Sequence, residues 1–87
     1  MESWRGRRLA ASKAALRELH NLGISLADVL EVLVEGYEPE GIRRKQGIAE
    51  MCLRQGEEVT KVVVAESLEE WSGEIVWLVI HVMRVHI

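Results

Sequence analysis

A chain of 87 residues, 48% hydrophobic and 29% charged, can build one small domain with its own core but not two. Its single cysteine, Cys52, excludes an internal disulfide framework, and its net charge of −3 excludes a generally polyanion-binding surface. The longest unbroken apolar run, residues 75–80, is far shorter than the roughly 20 residues that span a bilayer, and no targeting pattern follows the basic N-terminus, so a soluble cytoplasmic protein with no membrane partner is expected.

In chain order, residues 1–7 read as a flexible leader. Residues 8–21 carry Leu9, Ala15, Leu16 and Leu19 at helical spacing in an alanine-rich setting, and Gly23 stands where a helix C-cap favours glycine. A second helix is expected over residues 25–35. Ser25 is its N-cap, Asp28 completes a capping-box pattern, and Leu26, Val29, Leu30 and Leu33 form its apolar stripe before Gly36. Residues 37–41, with the only proline, read as a linker.

Three strands should follow. Residues 43–54 contain helix formers (Ala49, Glu50, Met51, Leu53), but the turn Gln55-Gly56-Glu57 leads straight into a strand and favours a hairpin. Residues 58–67 and 74–85 are rich in β-branched side chains, and SLEEWSG connects them. The expectation is an α+β domain in two layers. Two N-terminal helices pack on one face of a three-stranded antiparallel meander, in the order α-α-β-β-β.

Alternation along the last strand puts Val76, Leu78, Ile80 and Val82 toward the helices and Trp77, Val79, His81 and Met83 away from them. A bulge would reverse part of this assignment. The face away from the helices would then hold Arg44, Glu50, Lys61 and His81 among Ile48, Val63 and Val79. Three uses are open. Trp77, Val79, Met83, Val63 and Ile48 could form a homodimer interface. His81 as acid or base, Glu50 as base or orienting group, and Lys61 and Arg44 on phosphate could form a catalytic site acting on RNA. A hydrogen-bonded His–Glu pair could be purely structural.

Charge is segregated. Basic residues concentrate in residues 1–17 and at Arg43-Arg44-Lys45, whereas residues 57–74 are acidic. Arg43, Arg44, Lys45, Arg8 and Arg17 are therefore the candidates for nucleic-acid binding, which an accessory protein would use. No metal ligand set and no cofactor motif is expected. His20, His81, His86 and Cys52 are scattered, and GIRRKQG lacks the ending of a phosphate loop.

The stretch LRELHNLGISLADVLEVLVEGYE, residues 16–38, resembles the start of small prokaryotic domains grouped near the BrnT and RelE-like toxins. Gly23-Ile24-Ser25 matches their turn after the first helix, and Asp28-Val29 through Gly36 matches their second helix. KVVVAES (61–67) and EIVWLVIHV (74–82) look like their two C-terminal strands, so the likeness covers about residues 16–82. It implies a RelE-like two-layer fold. It also implies a metal-independent endoribonuclease of a toxin–antitoxin pair, with a cognate antitoxin and RNA as partners. His81, Lys61, Arg43, Arg44 and Glu50 are the positions it singles out. A dimer-forming domain of this type without catalysis is the first reading, the nuclease the second and the nucleic-acid-binding accessory the third.

Overall fold

A computed structural model describes residues 2–40 and 45–87. The order of elements is β1 (Ser3–Trp4), β2 (Arg7–Ala11), α1 (Lys13–Leu22), α2 (Leu26–Glu35), β3 (Ile48–Gln55), β4 (Glu58–Glu69) and β5 (Glu74–His86). The strands form one five-stranded mixed sheet, ordered β1-β2-β5-β4-β3 and curled into a half-barrel. The expected three-stranded meander is therefore too small a sheet, and the α-α-β-β-β order omits the first two strands. β3, β4 and β5 are antiparallel neighbours, but β2 adds to β5 in parallel and β1 adds to β2.

The N-terminal segment overturns two expectations. Within the expected flexible leader, residues 3–7 are instead ordered into the sheet, because Arg5 and Gly6 both have positive φ and close a two-residue hairpin between β1 and β2. Trp4 on β1 is buried, its ring 5.4 Å from that of Trp77. The helix does not begin at residue 8 either. Leu9, Ala10 and Ala11 pair in parallel with Trp77, Leu78 and Val79, and the helix starts only after Ser12, whose side chain accepts from the Ala15 N–H at 3.0 Å. Ladder bonds and burial of Leu9 outweigh the modest helix preference of an alanine-rich segment.

Local signals elsewhere hold. Gly23 ends α1 in the left-handed region, its N–H donating to the carbonyls of Leu19 and His20. Ser25 and Asp28 cap α2 reciprocally. Gly56 and Glu57 turn β3 into β4, with Gln55 paired to Glu58. The first strand of this hairpin begins at Ile48 rather than residue 43, and residues 41–44 lie outside the described set.

Both helices cover one sheet face. The core joins Ala15, Leu19, Val29, Val32 and Leu33 to Met51, Val62, Val64, Trp77, Val79 and Val82. Each fully buried aliphatic side chain stabilises by about 1.5–3 kcal/mol. Val63 pairs with His81 and Val64 with Val79, so Ile80 has no partner on β4 and forms a bulge. The bulge corrects the face assignment. Before it, Trp77 and Val79 point toward the helices; after it, Val82 does. Among the described residues, no helix is long and apolar enough to cross a membrane.

Candidate functional site

Strand pairing places several of the expected site residues on the face away from the helices. Glu50 opposes Val63, which opposes His81; Cys52 opposes Lys61, which opposes Met83. Directly opposed side chains stand roughly 5 Å apart, so Val63 separates Glu50 from His81. Cys52 interacts electrostatically with both Glu50 and Lys61. Burial and the neighbouring Glu50 push the Cys52 thiol above its ordinary pKa, and Lys61 opposes that shift. Glu50 itself is 2% exposed and has an interaction of its own. Arg43 and Arg44 lie outside the described residues, and Lys45 is exposed.

His81 takes a different partner from the expected Glu50. Its Nδ1 lies 3.2 Å from Oε1 and 3.0 Å from Oε2 of Glu18 on α1. The reason is topological. β2 ends at Ala11, opposite Val79, and the Ser12 N–H donates to the Val79 carbonyl, so β5 runs on without a neighbour there. α1 covers this opened edge, and Glu18 also accepts from the Val82 backbone N–H at 3.3 Å. The carboxylate thus stands in for the missing strand. It also holds one imidazole nitrogen in place, an arrangement that orients the other for proton transfer. Glu18 escaped notice because a glutamate among helical positions carries no mark of a distant partner.

The interface set fares unevenly. Trp77 and Val79 are buried at 7% and 0% exposure inside the chain's own core, and Val63 is buried at 3%. Ile48 and Met83 are half-buried. The side chains left outside are others. At the end of the β4–β5 hairpin, Leu68, Trp71 and Ile75 are 59%, 82% and 44% exposed. Leu68 and Ile75 are direct partners across the hairpin. The turn between them is well ordered by bonds. The Gly73 N–H donates to the Glu69 carbonyl at 2.8 Å, and the Ser72 hydroxyl donates to the Glu69 carboxylate at 2.7 Å while accepting from the Glu74 N–H. Arg8 forms a salt bridge with Glu69 and places its guanidinium 5.8 Å from the Trp71 ring centroid. That bond holds the Glu69 carboxyl below its ordinary range, with a further contribution from Ser72.

Of the described basic candidates, Arg8 is engaged by an acidic partner, as is its neighbour Arg7. Arg7 pairs with Glu66 at 2.8 Å and stacks over Trp77, and Arg8 is held by Glu69. Arg17, by contrast, is exposed on α1. A polar cleft of about 90 Å³ opens between α2 and the strand ends, lined by Asp28, Glu31, Gln55, Thr60 and Arg84. Its groups bond mainly to one another: Gln55 donates to Glu31 at 2.8 Å, and Arg84 Nε donates to Thr60 and faces Glu58. Among the described residues, no group of three or more His, Cys, Asp or Glu side chains is placed to hold a metal ion.

Comparison with protein-family models, with curated proteins and with solved structures finds no match.

Proposed function

We propose that this protein is a small interaction domain that works as a homodimer and carries no reaction of its own. The observation that supports it is the exposed apolar end of the β4–β5 hairpin, where Leu68 and Ile75 pair across the strands and Trp71 stands in the turn beside Arg8. Large apolar side chains gathered at one exposed place mark contact surfaces, and a second copy is the most available partner for a small domain. This is not the surface that alternation along β5 suggested, since Trp77 and Val79 already serve the internal core. Sedimentation velocity from micromolar to about 100 micromolar tests the reading. A concentration-dependent dimer is expected; a monomer throughout overturns it.

A second reading has its own observation. Glu18 grips Nδ1 of His81, whose side chain is 44% exposed, and Lys61 lies on the adjacent row of the sheet. A carboxylate-oriented imidazole beside a cation suits metal-independent cleavage of RNA, the activity that the BrnT/RelE likeness implies, with an antitoxin as cognate partner. Incubating purified protein with RNA in chelator tests it. Cleavage by the wild type and none by His81→Ala is expected. Intact RNA with the wild type, or equal cleavage by His81→Ala, removes this reading.

A further inference from the structure

The side chains at the end of the β4–β5 hairpin divide between the two faces of the sheet. By alternation from Val64 and Trp77, Leu68 and its partner Ile75 lie on the face that the helices cover. Glu69 and its partner Glu74 lie on the outer face, where Glu69 meets Arg8 and Trp71 stands 5.8 Å from the Arg8 guanidinium. Along that outer face β2, β5 and β4 set Ala10, Leu78 and Ala65 in one half-buried row. Beyond the bulge, Met83 and Val85 continue the apolar strip on β5, and Val59 continues it on β4. Val85 and Ile87 are exposed at its far end, as Trp71 is at the hairpin end. Both helices pack on the other face.

The two ends of this strip carry opposite charge. At the hairpin end Glu69, Glu70 and Glu74 outnumber Arg8. At the far end Lys61 and Arg54 stand on the outer face, since Lys61 pairs with Met83 and Arg54 with Val59. The carboxylates near that end turn to other partners: Glu58 faces Arg84 on the helix side, and Glu57 meets His86. Lys61 and Glu69 lie equally far from Ala65 along β4, each about 13 Å from it at ~3.3 Å per residue. The Ala65–Leu78 row is therefore the midpoint between a basic and an acidic end.

We infer that the protein forms a two-fold dimer by packing these outer sheet faces together, with the axis crossing the strands at the Ala65–Leu78 row. This rests on the dimer reading above and names its surface. The rotation reverses the strand direction. The acidic hairpin end of each copy then meets the Lys61–Arg54 end of the other, and Trp71 meets Val85 and Ile87. Area supports a second copy as occupant. Three strands about 4.8 Å apart, followed for the roughly 36 Å from Glu74 to Val85, cover about 500 Å² per copy and about 1,000 Å² per pair, the least that a specific interface needs. Burying Trp71 adds about 150–250 Å² on each side and carries the total past the ~1,200 Å² at which stable interfaces begin. A nucleic acid or an anionic membrane laid along the strip would meet Glu70 and Glu74, which disfavours either as occupant.

Trp71 and Leu68 tell the two faces apart. Both are exposed, so Trp71→Ser and Leu68→Ser should keep the fold, as circular dichroism would check. In sedimentation velocity Trp71→Ser should raise the dimer Kd by at least about tenfold, whereas Leu68→Ser should leave it within about twofold. A charge swap tests the reciprocity. Glu70→Lys with Glu74→Lys, and Arg54→Glu with Lys61→Gln, should each weaken self-association, since like charges then meet twice. Mixed, these two variants should form a one-to-one heterodimer with a Kd near that of the wild type. If the wild type dimerises and Leu68→Ser weakens it as much as Trp71→Ser does, or neither has an effect, the dimer stands and this face is wrong. If the two charge variants are folded monomers that do not recombine, the two-fold register is wrong. A wild type that stays monomeric removes both the dimer and this surface.

Discussion

Replacing Gly36 by alanine should be among the most damaging single-methyl additions in this chain. Gly36 follows α2, and its backbone (φ −81°, ψ −172°) is open to any residue, so conformational strain is not the issue. Space is. A Cβ built there would lie 2.3 Å from the Cys52 carbonyl oxygen and 2.3 Å from the Val32 carbonyl oxygen, both backbone atoms. Each would have to recede by roughly 0.7 Å to reach even the 3.0 Å below which such contacts essentially never occur. The atoms that must move already make bonds. Val32 accepts from the Gly36 N–H at 2.9 Å, and Tyr37 and Cys52 exchange two backbone bonds of 2.8 Å that tie the end of α2 to β3. Losing three such bonds at about 1 kcal/mol each costs about 3 kcal/mol. At about 4–8 °C per kcal/mol for a domain of this size, Tm should fall by about 12–24 °C. Urea and thermal unfolding followed by circular dichroism measure both. Gly23→Ala is the control: φ is +70° there and nothing lies within 4 Å, so only the left-handed penalty of about 1–2 kcal/mol applies. If Gly36→Ala costs no more than Gly23→Ala, the close approach of α2 to β3 is not what this position serves.

Glu18→Ala should destabilise by about 1–3 kcal/mol, because the Val82 N–H loses its acceptor; Glu18→Gln keeps an oxygen and should lose less, and faster amide exchange at Val82 in the alanine variant alone would confirm the cause. The Arg8–Glu69 pair should make stability acid-sensitive. Glu69 has a lowered folded pKa, so its contribution is fully present above the ordinary carboxylate value of about 4.3 and is lost as pH falls below it toward the folded value. The stability gap between wild type and Glu69→Gln should therefore close on acidification, as unfolding at stepped pH would show, and a gap that widens would contradict the sign. Cys52 is buried and its thiol is pushed up, so it should resist Ellman's reagent in the native state and react readily in denaturant.

Much of the local architecture was legible because its causes are local. The Ser25–Asp28 capping box, the αL glycine at Gly23 and the Gly56 turn each lie within a few residues of their partners, and sequence patterns mark them directly. β2 was not legible for the converse reason. RRLAA precedes an alanine-rich helix and shares its composition, and only the distant partners Trp77, Leu78 and Val79 make it a strand. The bulge at Ile80 was hidden by uniformity: where both faces are apolar, a one-residue shift leaves no polar residue out of place to report it. For the same reason the core role of Trp77 and Val79 looked like an exposed interface. The exposure of Leu68 and Ile75 was equally hidden, since it depends on where the helices end above the sheet.

The uniform apolar run of β5 now has a structural cause, and it bears on how the catalytic reading should be tested. β5 is the central strand of five, flanked by β2 and β4, and it is buried on both faces: Trp77 and Val79 toward the helices, and Val76, at 2% exposure, on the other side. His81 interrupts that run just beyond the point where β2 stops and the strand edge passes to α1. A polar side chain becomes tolerable there because Glu18 arrives from the helix to meet it. Glu18 consequently has two tasks, sealing the Val82 N–H and holding the imidazole, so lost activity in a Glu18 variant could follow from either. His81→Ala removes only the second task and leaves the bond from Val82 to Glu18 in place. A nuclease reading should therefore stand or fall on His81→Ala at unchanged stability, with Glu18→Gln used to ask whether orientation of the ring contributes beyond its presence.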